Sequence, residues 1–596
     1  MAHYTFITFA PIQSFIEKSR KLRDLYGASL ILSYLSQKLI EAVEEKGGTV
    51  ISPGLSNIKE GMPNRILLTG DFSEEDAKQA LKDAWSDVLD VCQAWLEEQV
   101  KEFRENQNKP NYNYTWESEW DKWKGKTWEV FWGTGDSPEA ARKDLENRKL
   151  ARQWTAINWI GESSSLSGAD AISYPRMAGE GINFIDGNYK KIPTINLEEV
   201  KEFYQDLFVV LNLSKSQWKY YSPDTEIEGK FIGEKEFLSI PELVKRLITV
   251  DREDTNESIT DTLKIDSPSN FGDIIRRASD PKKSSQTQTD KDISGHWTGW
   301  FMGDGDKMGD VLQNIATNPN ETEEERDRKL KEFSEDVRNW GLKLQEDFPE
   351  GLGRVIYAGG DDFLGVLYSD KIEAPIPAIQ AYEWLGELHE EWDELRKIVR
   401  DKYQQNLTVS VGFVWVAPGV PQRDVLQHCR EAEKRSKSLG RDRITIRVVF
   451  NNGQYVQWTT PWKYLNILER YRDLEDGQNW THIYQDLAHL KSRRAMGFGL
   501  DRINLTTEED NEDRKDEIEE TIYDYRDRVL NFLEIYFPGV LQILESTKNQ
   551  KEIVASFEER SKRAEELIYW ADNLISVGWH LFSNKNNVSS NPSNDV

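Results

Sequence analysis

Two short stretches of this 596-residue chain combine carboxylates with glycines in a way that could do chemistry: Asp304-Gly-Asp306 and Gly359-Gly-Asp-Asp362. The second lies inside Arg354–Tyr368. There a β-rich run enters the glycines and an apolar run leaves from Phe363, the pattern of a hairpin with two carboxylates at its tip. Gly359 and Gly360 let the backbone turn without Cβ strain and leave room for a phosphate to approach the main chain. Adjacent aspartates repel each other unless a positive charge sits beside them. A divalent cation is the usual answer, because Mg²⁺ takes carboxylate oxygens together with substrate phosphates. Turn chemistry alone selects the same residue types, so a plain polar hairpin tip is the competing reading.

The elements that must hold these residues follow from periodicity. Trp297–Gly303 reads as a strand ending in Asp304, with a helix starting near Gly309. A second helix covers roughly Glu323–Phe348, with Leu330, Phe333, Val337, Trp340 and Leu344 on one face. After the hairpin come a helix over about Ile379–Tyr403, a strand Leu407–Trp415, a helix Arg423–Ser438, and a strand Arg443–Phe450 that closes the sheet. A ferredoxin-like sheet with helices on one face accommodates this order. In that topology Asp304 and the pair Asp361, Asp362 face one cleft, and carboxylates from neighbouring strands suit two-metal phosphoryl transfer. One ion would lower the pKa of an attacking hydroxyl, and the other would neutralise a triphosphate and its leaving pyrophosphate. The bare backbone at Gly305 admits a metal or phosphate. Asp306 is either a ligand or the cap of the following helix. Lys437, with Gly440 and Arg441 just beyond its helix, either binds phosphates or offsets the helix dipole.

Bulk properties narrow the class. At this length more than one domain is expected. Lys+Arg number 76 against 104 Asp+Glu, a net charge of -28, so contact with nucleic acid has to be local or supplied by a partner. Two distant cysteines, Cys92 and Cys429, exclude a disulfide framework and a cysteine-cluster zinc site, and fit a reducing cytoplasm. The N-terminus lacks a signal-peptide pattern, and no apolar run is long enough to span a membrane.

Four domains are expected: 1–105, 106–295, 296–450 and 451–596. In the first, Tyr4–Phe9 reads as a strand, followed by a helix from about Ile12 to Glu44 with a break at Gly27-Ala28. A second strand runs over Asn64–Phe72, and a helix over Glu74 to about Asn106. Phe6–Gln13 resembles Phe301–Met308, and Asn64–Phe72 resembles Gly353–Phe363. Either this is chance, or an internal duplication puts Phe9 where Asp304 stands, in a copy that has lost its metal site. In the middle domain, Trp116, Trp120, Trp123, Trp128 and Trp132 form either a core or a base-stacking platform. A short helix covers about Leu243–Val250, and a polar run near 278–292 reads as a mobile boundary. The tail reads as a helical bundle, with helices over about Asp513–Phe537 and Glu558–Phe582 and a disordered end after Asn584.

At Gly303–Gly309 and Gly359–Phe363 the chain resembles the palm domain shared by GGDEF-type nucleotidyl cyclases and nucleic-acid polymerases. Phe9–Ile16, Arg20–Leu25 and Ser29 extend the resemblance to the large polymerase-cyclase subunit of type III CRISPR effector complexes, in the Cmr branch. The resemblance implies an α/β (α+β) architecture. Its parts are two ferredoxin-like palms, the first degenerate and the second cyclase-like, an intervening α-rich domain and a C-terminal helical bundle. It implies an RNA-activated enzyme that joins ATP into cyclic oligoadenylates with Mg²⁺ or Mn²⁺. Asp304, Asp361 and Asp362, with Gly305, would hold the metals; Gly359 and Gly360 would admit the triphosphate, and Lys437, Gly440 and Arg441 would steady it. Partners would be other Cmr-branch subunits, guide RNA and target RNA. AMP transfer to another acceptor, such as S-adenosylmethionine, and a non-catalytic scaffold are the alternatives. Many relatives begin with an HD nuclease domain; no His-Asp dipeptide occurs here, so no DNase activity is expected. Relatives also carry a zinc-binding Cys-x-x-Cys-Gly element, but here Ser164 and Ser167 precede Gly168, so no zinc is expected.

Overall fold

The computed structural model describes residues 3–54, 61, 63–151, 159, 162–177, 184–185, 188–189, 197–222, 231–250, 258–265, 296–369, 371, 374–473, 477–493, 495, 512–554 and 560–583. The polar run 278–292 and the tail from Asn584 lie outside the described residues. The chain divides into two compact units. The first comprises Met1–Asp273, Gly309–Glu346 and Ile356–Gly360; the second comprises Ile274–Met308, Asp347–Val355 and Asp361–Val596.

The first unit is built on β1 (Tyr4–Ala10), β2 (Thr49–Ser52), β3 (Arg65–Thr69) and β4 (Glu129–Gly135), in the order β2-β3-β1-β4. The Leu22–Glu45 helix links β1 to β2, and the Glu74–Asn106 helix links β3 to β4, giving the split β-α-β-β-α-β arrangement. A further hairpin pairs β5 (Phe184–Ile185) with β6 (Asn188–Tyr189). β4 lies beyond the expected boundary at 105. Without it β1 would present an unpaired edge, so the sheet claims a strand that the surrounding tryptophans disguise. Those tryptophans are core: Trp116 and Trp120 are fully buried, and Trp128 packs edge-on to both Phe9 and Trp85.

The long helix starts with a capping box, in which Ser73 Oγ accepts from Asp76 N at 3.1 Å and Asp76 Oδ2 accepts from Ser73 N at 3.2 Å. The expected break at Gly27 is instead a gap between the Ile12–Glu17 and Leu22–Glu45 helices. Gly27 lies inside the second of these helices, and glycine is required there because a neighbouring helix, Ile240–Leu247, passes so close that a Cβ would strike Lys245 O. The Arg20–Leu25 motif also serves packing. Arg246, with no exposed surface, donates from Nε to Asp24 Oδ1 at 2.8 Å and from Nη1 to Glu236 Oε2 at 2.5 Å. Asp24 Oδ2 accepts from Arg20 N and Lys21 N, both at 2.9 Å. Breaking such a buried pair costs about 3–5 kcal/mol, because one charge is left uncompensated.

The second unit carries β7 (Thr298–Gly305), the start of β8 (Gly353–Ala358), β9 (Phe363–Leu367), β10 (Val409–Val416), β11 (Arg443–Val449) and β12 (Tyr455–Pro461), in the order β12-β11-β10-β7-β9-β8. The run β10-β7-β9-β8 repeats the order β4-β1-β3-β2 of the first sheet. The registers agree as well. Phe9 pairs with Val130, the second residue of β4, and Asp304 pairs with Ser410, the second residue of β10. This correspondence favours the duplication over chance and puts Phe9 in the place of Asp304. β11 does not close the sheet: β12 pairs antiparallel to it, and its Trp458 is buried against Trp570 of the Arg560–Phe582 helix. The tail helices Glu512–Tyr536, Val540–Leu544, Thr547–Ile553 and Arg560–Phe582 follow. Among the described residues no helix is long and apolar enough to cross a membrane.

Candidate active site

Strand register decides which carboxylates meet. β7 and β9 run antiparallel with Gly303 opposite Phe363. Continued past the last paired residues, that register sets Asp304 opposite Asp362 and Gly305 opposite Asp361. The Gly305 N–H donates to Asp361 O at 3.1 Å, which holds the pairing to that point. Residues directly opposite share a face, and successive residues alternate. Asp362 therefore shares the face of Asp304. Asp361 follows Gly305: a Cβ on Gly305 would lie 2.9 Å from Asp361 Cβ and 3.3 Å from the Trp392 ring. The sequence reading placed both hairpin carboxylates alike; the pleat separates them.

The Gln422–Ser438 helix covers the Asp304 face. It comes so close to β10 that a Cβ on Gly412 would strike Glu433 N at 2.4 Å and Cys429 O at 2.5 Å, so only glycine seats the helix there. From this helix Lys437 Nζ forms an ion pair with Asp304 Oδ2 and lies 2.6 Å from Glu433 Oε1, one helical turn back. Burial, and then the Arg441 guanidinium, bring Lys437 down to about 8. Burial, followed by the Asp362 and Asp306 carboxylates, pushes Glu433 up to about 7 against the pull of Arg430. That Asp362 acts on Glu433 agrees with its place on this face. Sequence reasoning missed Glu433; its i, i+4 spacing to Lys437 is the signal that marks it.

Asp306 is neither exposed to the cleft nor a helix cap. It is buried, and its two oxygens are occupied: Oδ1 accepts from Ser410 Oγ at 2.7 Å, and Oδ2 accepts from Thr408 Oγ1 at 2.8 Å and Asp442 N at 2.9 Å. It ties the end of β7 to β10 and to the turn before β11. That turn is left-handed at three successive residues, Gly440 (φ 121°), Arg441 (φ 65°) and Asp442 (φ 50°). Arg441 Nε stands 3.9 Å from Asp306 Oδ1. Gly359 and Gly360 precede the carboxylates in the chain, and Gly360 adopts φ 129°, which side chains disfavour.

The donor set offers oxygen only, which suits a hard divalent cation such as Mg²⁺ or Mn²⁺. The Lys437 ammonium on Asp304 marks where positive charge belongs. Among the described residues no three His, Cys, Asp or Glu side chains stand together as a ready-made metal cage. In the loop where no zinc is expected, Ser164 Oγ lies 3.3 Å from Ser167 Oγ and donates to Glu242 Oε1 at 3.2 Å. Ser167 N donates to the same oxygen at 3.1 Å. A carboxylate there ties the loop together through hydrogen bonds.

Comparison with known proteins adds two matched segments. Residues 298–445 match the family model described as Cas10/Cmr2, second palm domain, and residues 4–90 match that of CRISPR-associated protein Cmr2, N-terminal. No curated protein matches the chain. Among solved structures, a chain of a type III-B Cmr-beta cryo-EM structure in the apo state shares the fold. It has a TM-score of 0.51 and 11% identity over 97% of this chain and 82% of that one. A Csm1-Csm4 cassette in complex with AMPPNP aligns at 16% identity and TM-score 0.36, over 98% of this chain and 70% of that chain. Csm1 in T. onnurineus aligns at 13% identity and TM-score 0.41, over 98% and 69%.

Proposed function

We propose that this chain, a member of the Cas10/Cmr2 family of type III CRISPR complexes, is an RNA-activated nucleotidyltransferase that joins ATP into cyclic oligoadenylates. The observation that carries the reading is that Asp304, at the end of β7, meets the Asp361-Asp362 turn before β9, where Gly303 pairs with Phe363 and the Gly305 N–H donates to Asp361 O, within the segment that matches the second palm. In each step a ribose 3′-hydroxyl oxygen bonds to an α-phosphorus, the α–β phosphoanhydride breaks, pyrophosphate leaves with the electron pair, and the hydroxyl proton passes to solvent. Asp304 and Asp362 would hold Mg²⁺ or Mn²⁺, which would lower the hydroxyl pKa and neutralise charge at the triphosphate. Asp304 and Asp362 anchor that charge, with Asp361 at the edge of the site. Gly359 and Gly360 give the triphosphate access to the main chain. Lys437 and Arg441, at the end of their helix, hold phosphate oxygens. Guide RNA, target RNA and the other subunits of a cytoplasmic effector complex provide the activating context.

The test incubates the assembled complex with guide RNA, matching target RNA, ATP and Mn²⁺, with and without S-adenosylmethionine, and identifies small products by mass spectrometry. Cyclic oligoadenylates that vanish in Asp361→Ala with Asp362→Ala, while assembly persists, support the proposal. An adenylylated S-adenosylmethionine moves the assignment to AMP transfer. No product under any divalent metal leaves a scaffold.

A further inference from the structure

The Lys437 ammonium sits where the proposed reaction needs a metal. It is held between Asp304 and Glu433, on a helix that Gly412 lets down onto the sheet. A lysine fixed only to neutralise Asp304 would need no second carboxylate. Here Glu433, one turn back on the same helix and almost buried, keeps the ammonium in reach on a second anchor. The charged groups acting on it are Asp304 and Glu433, its ion-pair partners, and Arg441, while Asp362 acts on Glu433. A flexible four-carbon stem lets the charge swing between partners without moving the helix.

We propose that Lys437 is a tethered counter-ion that competes with divalent cations for Asp304, with Glu433 as the positioning residue that keeps the ammonium at hand. Without nucleotide the lysine neutralises Asp304 and the site takes metal weakly. A triphosphate arriving with its cation offers the ammonium phosphate oxygens instead, and Asp304 is freed for the metal. Metal and nucleotide then enter together rather than one after the other. This inference rests on the assignment of Asp304 to the metal site.

Mn²⁺ binding to the nucleotide-free full-length chain, followed by electron paramagnetic resonance, tests it. Lys437→Met is expected to tighten Mn²⁺ binding by about tenfold, one pKa-unit equivalent of removed like charge. Lys437→Arg, which keeps the charge, should stay close to wild type, and adding Asp304→Asn to Lys437→Met should abolish the gain. Unchanged or weaker Mn²⁺ binding in Lys437→Met, with Asp304→Asn still reducing what binding there is, overturns the counter-ion role alone. Mn²⁺ binding that ignores Asp304→Asn in both backgrounds overturns the metal assignment and this inference with it.

Discussion

Phe9 and Asp304 hold the same register position in two sheets that share a four-strand run, one as core and the other as a carboxylate paired with Lys437. Phe9 is 2% exposed and packs edge-on to Trp128 at a 5.5 Å centroid separation. Phe9→Ala is therefore expected to cost about 3–5 kcal/mol. Asp304→Asn removes only a partly exposed ion pair and should shift stability by no more than about 1 kcal/mol. Thermal melts of the two variants check the contrast; equal losses would mean that Asp304 is a structural residue.

The pleat makes the two hairpin aspartates unequal. Asp362→Asn is expected to weaken Mn²⁺ binding in the presence of ATP by at least about tenfold, while Asp361→Asn has a smaller effect, since charge on the far face of the strand acts over a longer distance. Titration calorimetry of both variants decides it, and the reverse ranking would put the register argument in error.

Asp306 should behave as a structural residue. Asp306→Ala strands the buried Ser410 hydroxyl, the half-buried Thr408 hydroxyl and the Asp442 N–H, and is expected to cost about 3 kcal/mol in urea unfolding. A loss below about 1 kcal/mol would return Asp306 to the list of cleft-facing ligands.

These results separate what periodicity could reveal from what it could not. Strand β7, its hairpin and the helices ending at Tyr403 and Ser438 carry apolar repeats that match their elements within a residue or two. β4 and β12 were missed for another reason. Each completes a sheet from sequence that reads as part of the next domain, and only the demand of an open strand edge recruits it. The break in the first helix was misplaced because Gly27 answers to a neighbouring helix, a contact that no local pattern records. At the site, residue types were legible but partners were not. Nothing in the sequence tells that Asp306 spends its oxygens on Thr408, Ser410 and Asp442, or that Lys437 rests on Asp304.

The buried pair of the first unit sets an acid limit. Burial alone would raise the Asp24 pKa, but Arg246 and the Arg20 and Lys21 amides hold it below the usual carboxylate range. A depressed carboxylate contributes stability that is full above its unfolded pKa, about 3.9, and is lost as pH falls through the lower folded value. Acid unfolding followed by circular dichroism should therefore show this contribution fading below about pH 4. Arg246→Met should move the loss to higher pH, and an unmoved acid transition would deny the pair its role.

The central claim is that Asp304 and Asp362 share a metal under a nucleotide. Anomalous scattering from crystals grown with Mn²⁺ and a non-hydrolysable ATP analogue locates the ion directly. The account predicts a peak about 2.1 Å from oxygens of both carboxylates, with Lys437 drawn off Asp304 onto phosphate. A nucleotide bound with no ion beside Asp304, and Lys437 still resting there, would contradict it.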